Sequence, residues 1–259
     1  MSTQSATRKV CVVTGSSSGI GAATARLYAA QGWDVAINYS REPAPAEEVA
    51  QQCRDLGAEV LVVKADVSSD ADCRRLAAQV QARWGRADVL VNNAGTTRFV
   101  PLKDLDGLQA EDFQRIYAVN VVGAYQMTRA FVPLLEQHPV AAVVNVSSIA
   151  SFMGTGSSIA YMASKGALNA MTVGLARALG PKIRVNAIAP GLVDSPWLRN
   201  GLGEVAYEKA VDSYKQRAAL ADVITPEDIA QAAWWLGVGA AKTTGEVLLI
   251  DAGVRITRG

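Results

Sequence analysis

The chain has few of the side chains from which many catalytic and metal sites are built. Among its 259 residues there are one histidine and three cysteines. The odd number of cysteines (Cys11, Cys53 and Cys73) and the lack of a Cys-x-x-Cys pair argue against a disulfide framework and predict buried thiols. A Ser-His-Asp triad would need His138, which lies beside a proline at a predicted helix end and has no supporting pattern. We therefore expect neither such a triad nor a metal site.

The chain also lacks an excess of charge and any long hydrophobic run. Its 25 basic and 24 acidic residues give a formal net charge of +1, so no overall field favours nucleic acid or an anionic membrane as a partner. No apolar run approaches the roughly 20 residues of a membrane-spanning helix. The polar segment Met1–Lys9 has no apolar core of the signal-peptide type. These absences predict a cytoplasmic protein without membrane or nucleic-acid partners.

Apolar segments of strand length alternate with helical segments along the chain. Hydrophobic residues make up 50% and charged residues 19% of the sequence, which is long enough for one domain over residues 1–259 with a buried core. Strands that are apolar at odd and even positions alike are covered on both faces. The repeated strand–helix units therefore predict an α/β fold, a doubly wound parallel sheet with helices on both faces. The segment Leu192–Ile224 is expected to be irregular. The predicted strands are Val10–Val13, Val35–Tyr39, Val60–Val63, Val89–Val91, Ala142–Val146, Ile183–Ala189 and Val247–Ile250, and the predicted helices are Ile20–Gln31, Ala46–Leu56, Ala71–Trp84, Gln109–Gln137, Ile159–Leu179 and Pro226–Leu236.

A glycine-rich turn at residues 14–21, with the sequence TGSSSGIG, joins the first predicted strand to the first predicted helix. Glycines in such a turn let the backbone approach a pyrophosphate, whose charge is met by the helix N-terminus. A glycine-rich stretch alone is weak evidence, but this one lies at the first strand-to-helix turn, which is the context that a nucleotide site requires. The predicted cofactor-binding residues of this turn are Gly15, Ser17, Ser18, Gly19, Ile20 and Gly21.

The end of the second predicted strand carries the signal for the type of dinucleotide. A free ribose 2′-hydroxyl is usually held by a carboxylate near this point, yet the strand ends in Asn38-Tyr39-Ser40-Arg41 and the nearest acid, Glu42, follows the arginine. Ser40 and Arg41 could instead donate hydrogen bonds to a 2′-phosphate. We therefore predict NADP(H) in preference to NAD(H), with Asn38, Tyr39, Ser40 and Arg41 among the cofactor contacts; the alternative is that Arg41 is a solvated loop charge.

Two further strand ends are expected at the same edge of the sheet, where ligands bind in open α/β folds. The third strand leads into Asp66-Val67, and Asp66 could accept a hydrogen bond from an adenine amino group or could equally cap the next helix. The fourth strand leads into the small and polar segment Asn93-Ala94-Gly95. We include all five residues among the predicted cofactor contacts.

Tyr161 and Lys165 are the candidates for proton transfer. Residues four apart stand on the same face of a helix, so both side chains can reach the same small volume. A neighbouring ammonium would lower the pKa of the phenol from its ordinary value of roughly 10 and let it exchange a proton with a substrate oxygen near neutral pH. Because Tyr-x-x-x-Lys also arises often by chance, the alternative is a pair on a helix surface.

Taken together, these motifs resemble the short-chain dehydrogenase/reductase family. The resemblance covers about residues 8–255 and is strongest to the 3-oxoacyl-[acyl-carrier-protein] reductase branch. It implies a Rossmann-like fold with a seven-stranded parallel sheet. It also implies an NAD(P)-dependent oxidoreductase that transfers a hydride between a nicotinamide and a carbonyl or secondary alcohol. The matching elements are the turn at Thr14–Gly21, Asn92-Asn93-Ala94-Gly95, Asn120, Ser148, Tyr161-x-x-x-Lys165 and Pro190-Gly191.

The resemblance also implies a role for each catalytic residue. Tyr161 would be the general acid in reduction and the base in oxidation, while Lys165 would lower its pKa and hold the nicotinamide ribose. Ser148, thirteen residues before the tyrosine, would hydrogen-bond the substrate carbonyl. Asn120 would support a water that links Lys165 to solvent, although from the residues alone it reads as a satisfied buried amide. The cofactor site would be completed by Pro190, Gly191, Val193 and Ser195, the last replacing a more usual threonine.

The substrate is less well defined by the sequence. Family members line their pocket with three segments: the one after Gly95, the Ser148–Tyr161 loop and a lid, here about residues 192–224. The side chains at these positions suit a hydrophobic or medium-sized carbonyl compound. They could equally pack within the protein, and Arg98 could be solvated. Pro139 and Lys182 stand where carrier-protein reductases often have basic docking residues, which weakens the case for a carrier-protein substrate. The candidate pocket residues are Arg98, Phe99, Phe152, Met153, Trp197 and Leu198.

Two further expectations follow from the resemblance. The helices Gln109–Gln137 and Ile159–Leu179 would pack against their mates across a two-fold axis, so we expect a homotetramer or homodimer; packing onto the sheet of one subunit is the alternative. Other proteins on this fold bind the cofactor without turnover, or use it as an epimerase or dehydratase. The joint presence of Asn120, Ser148, Tyr161 and Lys165 favours a dehydrogenase or reductase.

Overall fold

The computed structural model describes residues 8–139 and 141–256, so most of the predicted polar segment Met1–Lys9 lies outside the described residues. Within the described part, seven parallel strands form one sheet. The strands are β1 (Val10–Val13), β2 (Asp34–Tyr39), β3 (Val60–Lys64), β4 (Val89–Asn92), β5 (Ala141–Val146), β6 (Ile183–Pro190) and β7 (Val247–Ile250). Their spatial order is β3-β2-β1-β4-β5-β6-β7. The chain reverses its direction of travel across the sheet between β1 and β4, and a crevice opens at such a point.

Helices cover both faces of the sheet, as predicted. They are α1 (Gly19–Ala30), α2 (Ala44–Asp55), α3 (Asp70–Trp84), α4 (Ala110–Tyr117), α5 (Ala124–Leu135), α6 (Ala150–Met153), α7 (Ile159–Leu179), α8 (Pro196–Leu202), α9 (Glu204–Arg217) and α10 (Pro226–Trp234). The side chains of β1 show how the two layers form. Cys11 and Val13 pack with α1, α2 and α10, whereas Val10 and Val12 pack with α3 and α5. Alternate side chains of a strand point to opposite faces, so a continuously apolar strand feeds two hydrophobic cores.

The three cysteines are structural residues in this fold. Cys11, Cys53 and Cys73 are buried free thiols. Burial raises the pKa of Cys53 and of Cys73 to about 11, which keeps both in the unreactive thiol form. No helix of the described residues has the length and apolar character needed to span a bilayer.

The long helix predicted for Gln109–Gln137 is interrupted. Between α4 and α5 the segment Ala118–Gly123 has π-helical hydrogen bonding, and Asn120 lies within it with 1% of its surface exposed. The apolar pattern continues without a break through this segment, so spacing alone gave no sign of the wider turn. Single π turns are frequent at functional sites, because they re-aim a side chain without ending the helix.

The prediction of an irregular segment at Leu192–Ile224 was wrong, because this part of the chain forms α8 and α9. The polar helix α9 buries only Tyr207 and Tyr214, seven residues apart on one face, so it shows little of the usual apolar pattern. A parallel β-bridge between Val193 and Ile224 brings the two ends of the segment together. Tyr214 fastens it to the sheet by donating a hydrogen bond to the Asp251 carbonyl (2.7 Å). We call residues 192–224 the lid.

Candidate active site

The carboxyl ends of the strands open into a cleft of about 1050 Å³ that is covered on one side by the lid. The cleft runs from the end of β2, past the glycine-rich turn, to the start of α7. Of the predicted cofactor and catalytic residues, Gly21 and Asn120 lie outside its wall. The others line it: Gly15, Ser17, Ser18, Gly19, Ile20, Asn38, Tyr39, Ser40, Arg41, Asp66, Val67, Asn93, Ala94, Gly95, Ser148, Tyr161, Lys165, Pro190, Gly191, Val193 and Ser195.

The glycine-rich turn is packed so tightly that two of its positions admit no side chain. Gly15 has a φ of +60°, and a Cβ there would lie 2.9 Å from the Ala94 Cα. A Cβ at Gly21 would lie 2.5 Å from both the Gly15 carbonyl oxygen and the Asn93 Nδ2 atom. Gly21 therefore allows α1 to pack closely against the turn, and its predicted cofactor contact stays a prediction.

The N-terminus of α1 faces the cleft and fits a pyrophosphate. The first intrahelical hydrogen bond runs from the Ala22 N–H to the Ser18 carbonyl (3.2 Å), so the preceding N–H groups are free of the helix ladder. The first turn carries no acidic side chain that would repel an anion. Ser195 lies opposite, with its Cβ 3.8 Å from the position that a Cβ would take at Gly19. Backbone donors and hydroxyl groups thus flank the same narrow part of the cleft.

Two asparagine side chains hold this turn in place. Asn38 accepts a hydrogen bond from the Gly15 N–H (3.1 Å) and donates one to the Ala65 carbonyl (2.9 Å). Asn93 donates to the carbonyls of Thr14 and Gly15, both at 2.9 Å. The amide of Asn38 is therefore engaged with backbone at the ends of β1 and β3 and shapes the cleft wall. Its contact with a cofactor stays a prediction.

The outer end of the cleft carries a free positive charge. Ser40 and Arg41 are exposed there, and within residues 8–139 and 141–256 the Arg41 guanidinium makes no hydrogen bond or ion pair. Asp66, on the neighbouring strand end, accepts hydrogen bonds from the N–H (2.9 Å) and hydroxyl (2.7 Å) of Ser68. These hydrogen bonds close a turn before α3, whose N-cap is Ser69, so Asp66 does not cap that helix. Asp66 also lies on the cleft wall, and its adenine contact stays a prediction.

The inner end of the cleft brings Ser148, Tyr161 and Lys165 together. Ser158 caps the N-terminus of α7 by accepting a hydrogen bond from the Tyr161 N–H (3.2 Å), which fixes the start of the helix about two turns before the lysine. The Lys165 Nζ donates to the Val146 carbonyl at the end of β5 (2.7 Å) and lies 5.6 Å from the centre of the Tyr161 ring. The two side chains do share one volume, as the spacing predicted.

The electrostatics of this pair differ from the sequence-based expectation. Burial raises the pKa of Tyr161 to about 12, and a hydrogen bond with Ser148 opposes that rise. Burial also lowers the pKa of Lys165 to about 8. Desolvation disfavours the charged form of both groups, and it is the largest cause of each shift. Without a cofactor, Tyr161 is therefore a protonated phenol at neutral pH.

Asn120 lies one layer behind the cleft wall. Its Oδ1 accepts a hydrogen bond from the Thr96 N–H (2.8 Å), and its Nδ2 donates to the Thr96 carbonyl and the Ser164 hydroxyl, both at 3.0 Å. A Cβ at Gly95 would lie 3.5 Å from the Asn120 Oδ1 and 3.8 Å from the Lys165 Nζ. The asparagine is thus a satisfied buried amide that lies near Lys165 without a direct hydrogen bond to it.

The substrate end of the cleft contains only some of the predicted pocket residues. Phe99, Met153, Trp197 and Leu198 line it, whereas Arg98 forms an ion pair with Asp112 and Phe152 is 51% exposed outside the wall. Sequence reasoning missed several lining residues. Arg115 lies on α4 beside Thr96. The lining residues on α9 could have been predicted only if that helix had been recognised in the sequence. The missed lining residues include Thr96, Arg115, Leu202, Tyr214 and Arg217.

Known proteins resemble this chain over almost its whole length. A family model described as enoyl-(acyl carrier protein) reductase matches residues 15–255. A Streptomyces violaceoruber chain, named as ketoacyl reductase 2 of the granaticin polyketide synthase, is 42% identical over 256 residues, which cover 99% of this chain and 100% of that one. The 3-oxoacyl-[acyl-carrier-protein] reductase of Thermotoga maritima is 34% identical over 251 residues, which cover 96% and 98%. A crystal structure from Burkholderia xenovorans, described as a short-chain dehydrogenase/reductase, has a TM-score of 0.90 at 46% identity and covers 97% of this chain and 99% of that chain.

These similarities agree with the architecture and with the cleft. The matched region contains the strands β2 to β7, the glycine-rich turn from Gly15 onward and the Tyr161–Lys165 pair. The identities are well above the level at which only a fold is shared. The chain therefore belongs to the short-chain dehydrogenase/reductase family, and it is an oxidoreductase that acts on C–OH and C=O groups with a nicotinamide cofactor.

Proposed function

We propose that this protein transfers a hydride between NADP(H) and a hydrophobic ketone or its secondary alcohol, as 3-oxoacyl reductases do. The supporting observation is that Ser148, Tyr161 and Lys165 converge at the inner end of a cleft whose other end carries the unpaired Arg41. The names of relatives from Streptomyces violaceoruber and Thermotoga maritima, both ketoacyl or oxoacyl reductases, support the same type of substrate.

Each part of the cleft would hold one part of the cofactor. The turn at residues 15–20 would bind the pyrophosphate, and Ser40 with Arg41 would bind the 2′-phosphate. Asp66 and Val67 would contact the adenine. Tyr161 and Lys165 would hold the ribose of the nicotinamide, which supplies the hydride chemistry when bound.

The protein's own contribution is charge and proton transfer at the substrate oxygen. Negative charge grows on this oxygen during reduction, and the hydroxyl groups of Ser148 and Tyr161 would stabilise it; loss of one such donor often costs about 3–4 kcal/mol in the barrier. Tyr161 then donates its phenolic proton. The Lys165 ammonium stabilises the phenolate that remains, so its charge is needed most after the proton has left. Asn120 acts as a positioning residue that fixes Thr96 and Ser164 around the lysine.

The chemistry of the site favours C=O over C=C reduction. The description of the matching family model names an enoyl reductase, while the relatives' names concern oxo groups. Two hydroxyl donors that meet at one point suit an oxygen that becomes negatively charged. Phe99, Met153 and Leu198 beside them suit an apolar body for that ketone.

Substitution of Tyr161 by phenylalanine tests the proton donor. Because the phenol is the only acid that the proposal places at the substrate oxygen, Tyr161→Phe should reduce kcat by about 10²–10⁴-fold. Its Kd for NADPH, measured by fluorescence titration, should change little. Tyr125→Phe is the matched control, since Tyr125 is 44% exposed and lies outside the cleft.

Near-wild-type turnover by the Tyr161→Phe variant would exclude the assigned role. NADPH binding without turnover of any ketone, β-ketoester or quinone by the wild type would favour a protein that senses the cofactor. Cofactor that copurifies in stoichiometric amount would favour an epimerase or dehydratase.

The cofactor preference is tested at Arg41. We expect wild-type kcat/KM to be higher with NADPH than with NADH. Arg41→Ala should lower the NADPH value by about 10–150-fold, the usual effect of losing a hydrogen bond to a charged group, and should leave the NADH value within about twofold. Arg83→Ala, which removes a surface arginine paired with Glu59, is the control. A wild-type preference for NADH would contradict the assignment.

We also propose that the protein acts in the cytoplasm as a homodimer or homotetramer. Large apolar side chains are exposed on α4, on the π-helical segment and on α5, namely Phe113, Val122 and Tyr125, which are 36%, 46% and 44% exposed. Val173 on the neighbouring α7 is 54% exposed. A contiguous apolar surface of this kind is typical of an interface between subunits.

Light scattering at micromolar concentration tests this assembly. The wild type should have the mass of a dimer or tetramer, and Val122→Glu should lower that mass because it buries a charge in the interface. Leu56→Glu, at an exposed position at the end of α2, should leave the mass unchanged. A monomeric wild type would contradict the proposal.

A further inference from the structure

Three aromatic rings lie side by side at the substrate end of the cleft. The centre of the Trp197 ring on α8 lies 6.1 Å from that of Tyr161, with 41° between the ring planes. On its other side, the Phe99 ring lies 5.7 Å away, with an interplanar angle of 52°. This row of rings begins at the proposed proton donor, Tyr161, and extends outward along the lid. We call Phe99 and Trp197 the aromatic wall.

The position of Phe99 is fixed by a residue of the lid. A Cβ at Gly201 would lie 2.0 Å from the Phe99 Cε2 atom, so the ring packs directly on the backbone of α8. Any side chain at Gly201 would force the ring to move. The loop after β4 and the lid therefore meet at this contact and hold the ring beside Trp197.

Internal packing does not account for the position of Trp197. It is 44% exposed although it lines the cleft, whereas Trp33 is buried in the core with 6% of its surface exposed. Among residues 8–139 and 141–256, its ring contacts are with Phe99 and Tyr161, and both of these line the cleft as well. A large flat apolar surface of this kind, presented to a cleft, is available to a ligand.

We infer that the substrate carries a flat aromatic ring close to its reacting carbonyl and that this ring stacks on the aromatic wall, with Trp197 as the specificity-determining residue. The inference rests on the proposed function, because it takes Tyr161 as the group that meets the carbonyl oxygen. Since Trp197 adjoins the Tyr161 ring, a ring fused to the carbonyl-bearing ring would lie over the indole. Offset or tilted contacts between aromatic rings add to the energy of simple burial, so an aromatic ligand should be favoured over a saturated one of the same shape.

The experiment compares two bicyclic ketones that share one carbon skeleton. 2-Tetralone has an aromatic ring that is not conjugated with its carbonyl, and 2-decalone is the saturated counterpart. The readout is the ratio of their kcat/KM values with NADPH, because a change in this ratio between variants cancels the intrinsic reactivity of each ketone. The wild type should favour 2-tetralone, and Trp197→Leu should lower the ratio by about 3–10-fold.

Matched variants separate stacking from general damage. Trp235→Leu removes an indole that is 46% exposed outside the cleft and should leave the ratio unchanged. Trp197→Phe keeps an aromatic ring and should retain most of the preference. Gly201→Ala substitutes no aromatic residue but forces the Phe99 ring to move, so it should also lower the ratio. If Trp197→Leu turns over neither ketone, the ratio is measured in Phe99→Leu, where the same fall is expected.

An unchanged ratio in Trp197→Leu, or in Phe99→Leu where that variant replaces it, would overturn the inference. Reduction of ethyl acetoacetate by the wild type, without reduction of either bicyclic ketone, would also overturn it while leaving the proposed function intact. If the wild type reduces none of the three ketones, the result would count against the proposed function itself and would remove the basis of the inference.

Discussion

Lys165 is buried, and no carboxylate of the described residues pairs with it; this is the constraint on which the proposed active site depends. The ammonium is held by one carbonyl, that of Val146 at the end of β5, at a position where its charge is poorly solvated. Its lowered pKa and the raised pKa of Tyr161 have the same cause. Both groups are kept in an environment that resists charge until a ligand supplies polar partners. A site of this kind is costly for the resting protein and useful for a reaction in which a phenolate must form and be stabilised.

The fold places this pair by simple means. Parallel strands end at one edge of the sheet, so the carbonyl of Val146, the turn after β1 and the segment after β4 all meet there. Buried amides then connect these ends. Asn38 and Asn93 hold the glycine-rich turn, and Asn120 ties the segment after β4 to α7. Because these hydrogen bonds are buried or partly buried, the side chains around Lys165 are set before any ligand arrives.

The strands, the cofactor turn and the Tyr161–Lys165 pair could be predicted because each leaves a local pattern: an apolar run, a glycine spacing or a four-residue interval. The lid helices could not be predicted, since α9 buries only two tyrosines and its other residues have no apolar pattern that would indicate a packed helix. The π-helical segment around Asn120 leaves the apolar pattern intact and was equally hidden. The direction of the Tyr161 pKa shift was predicted wrongly because desolvation depends on the whole surroundings of the phenol, which spacing along a helix does not describe.

The most direct test of this account is the ionisation of Lys165, followed by NMR of the protein labelled with ¹³C at lysine Cε and assigned with Lys165→Arg. The account predicts that the Lys165 signal titrates with a pKa of about 8 in the cofactor-free protein, well below the other lysines. Binding of NADPH should raise that value, because the ribose oxygens accept hydrogen bonds from the charged form. A Lys165 signal that titrates together with the surface lysines near about 10.4 would contradict the account.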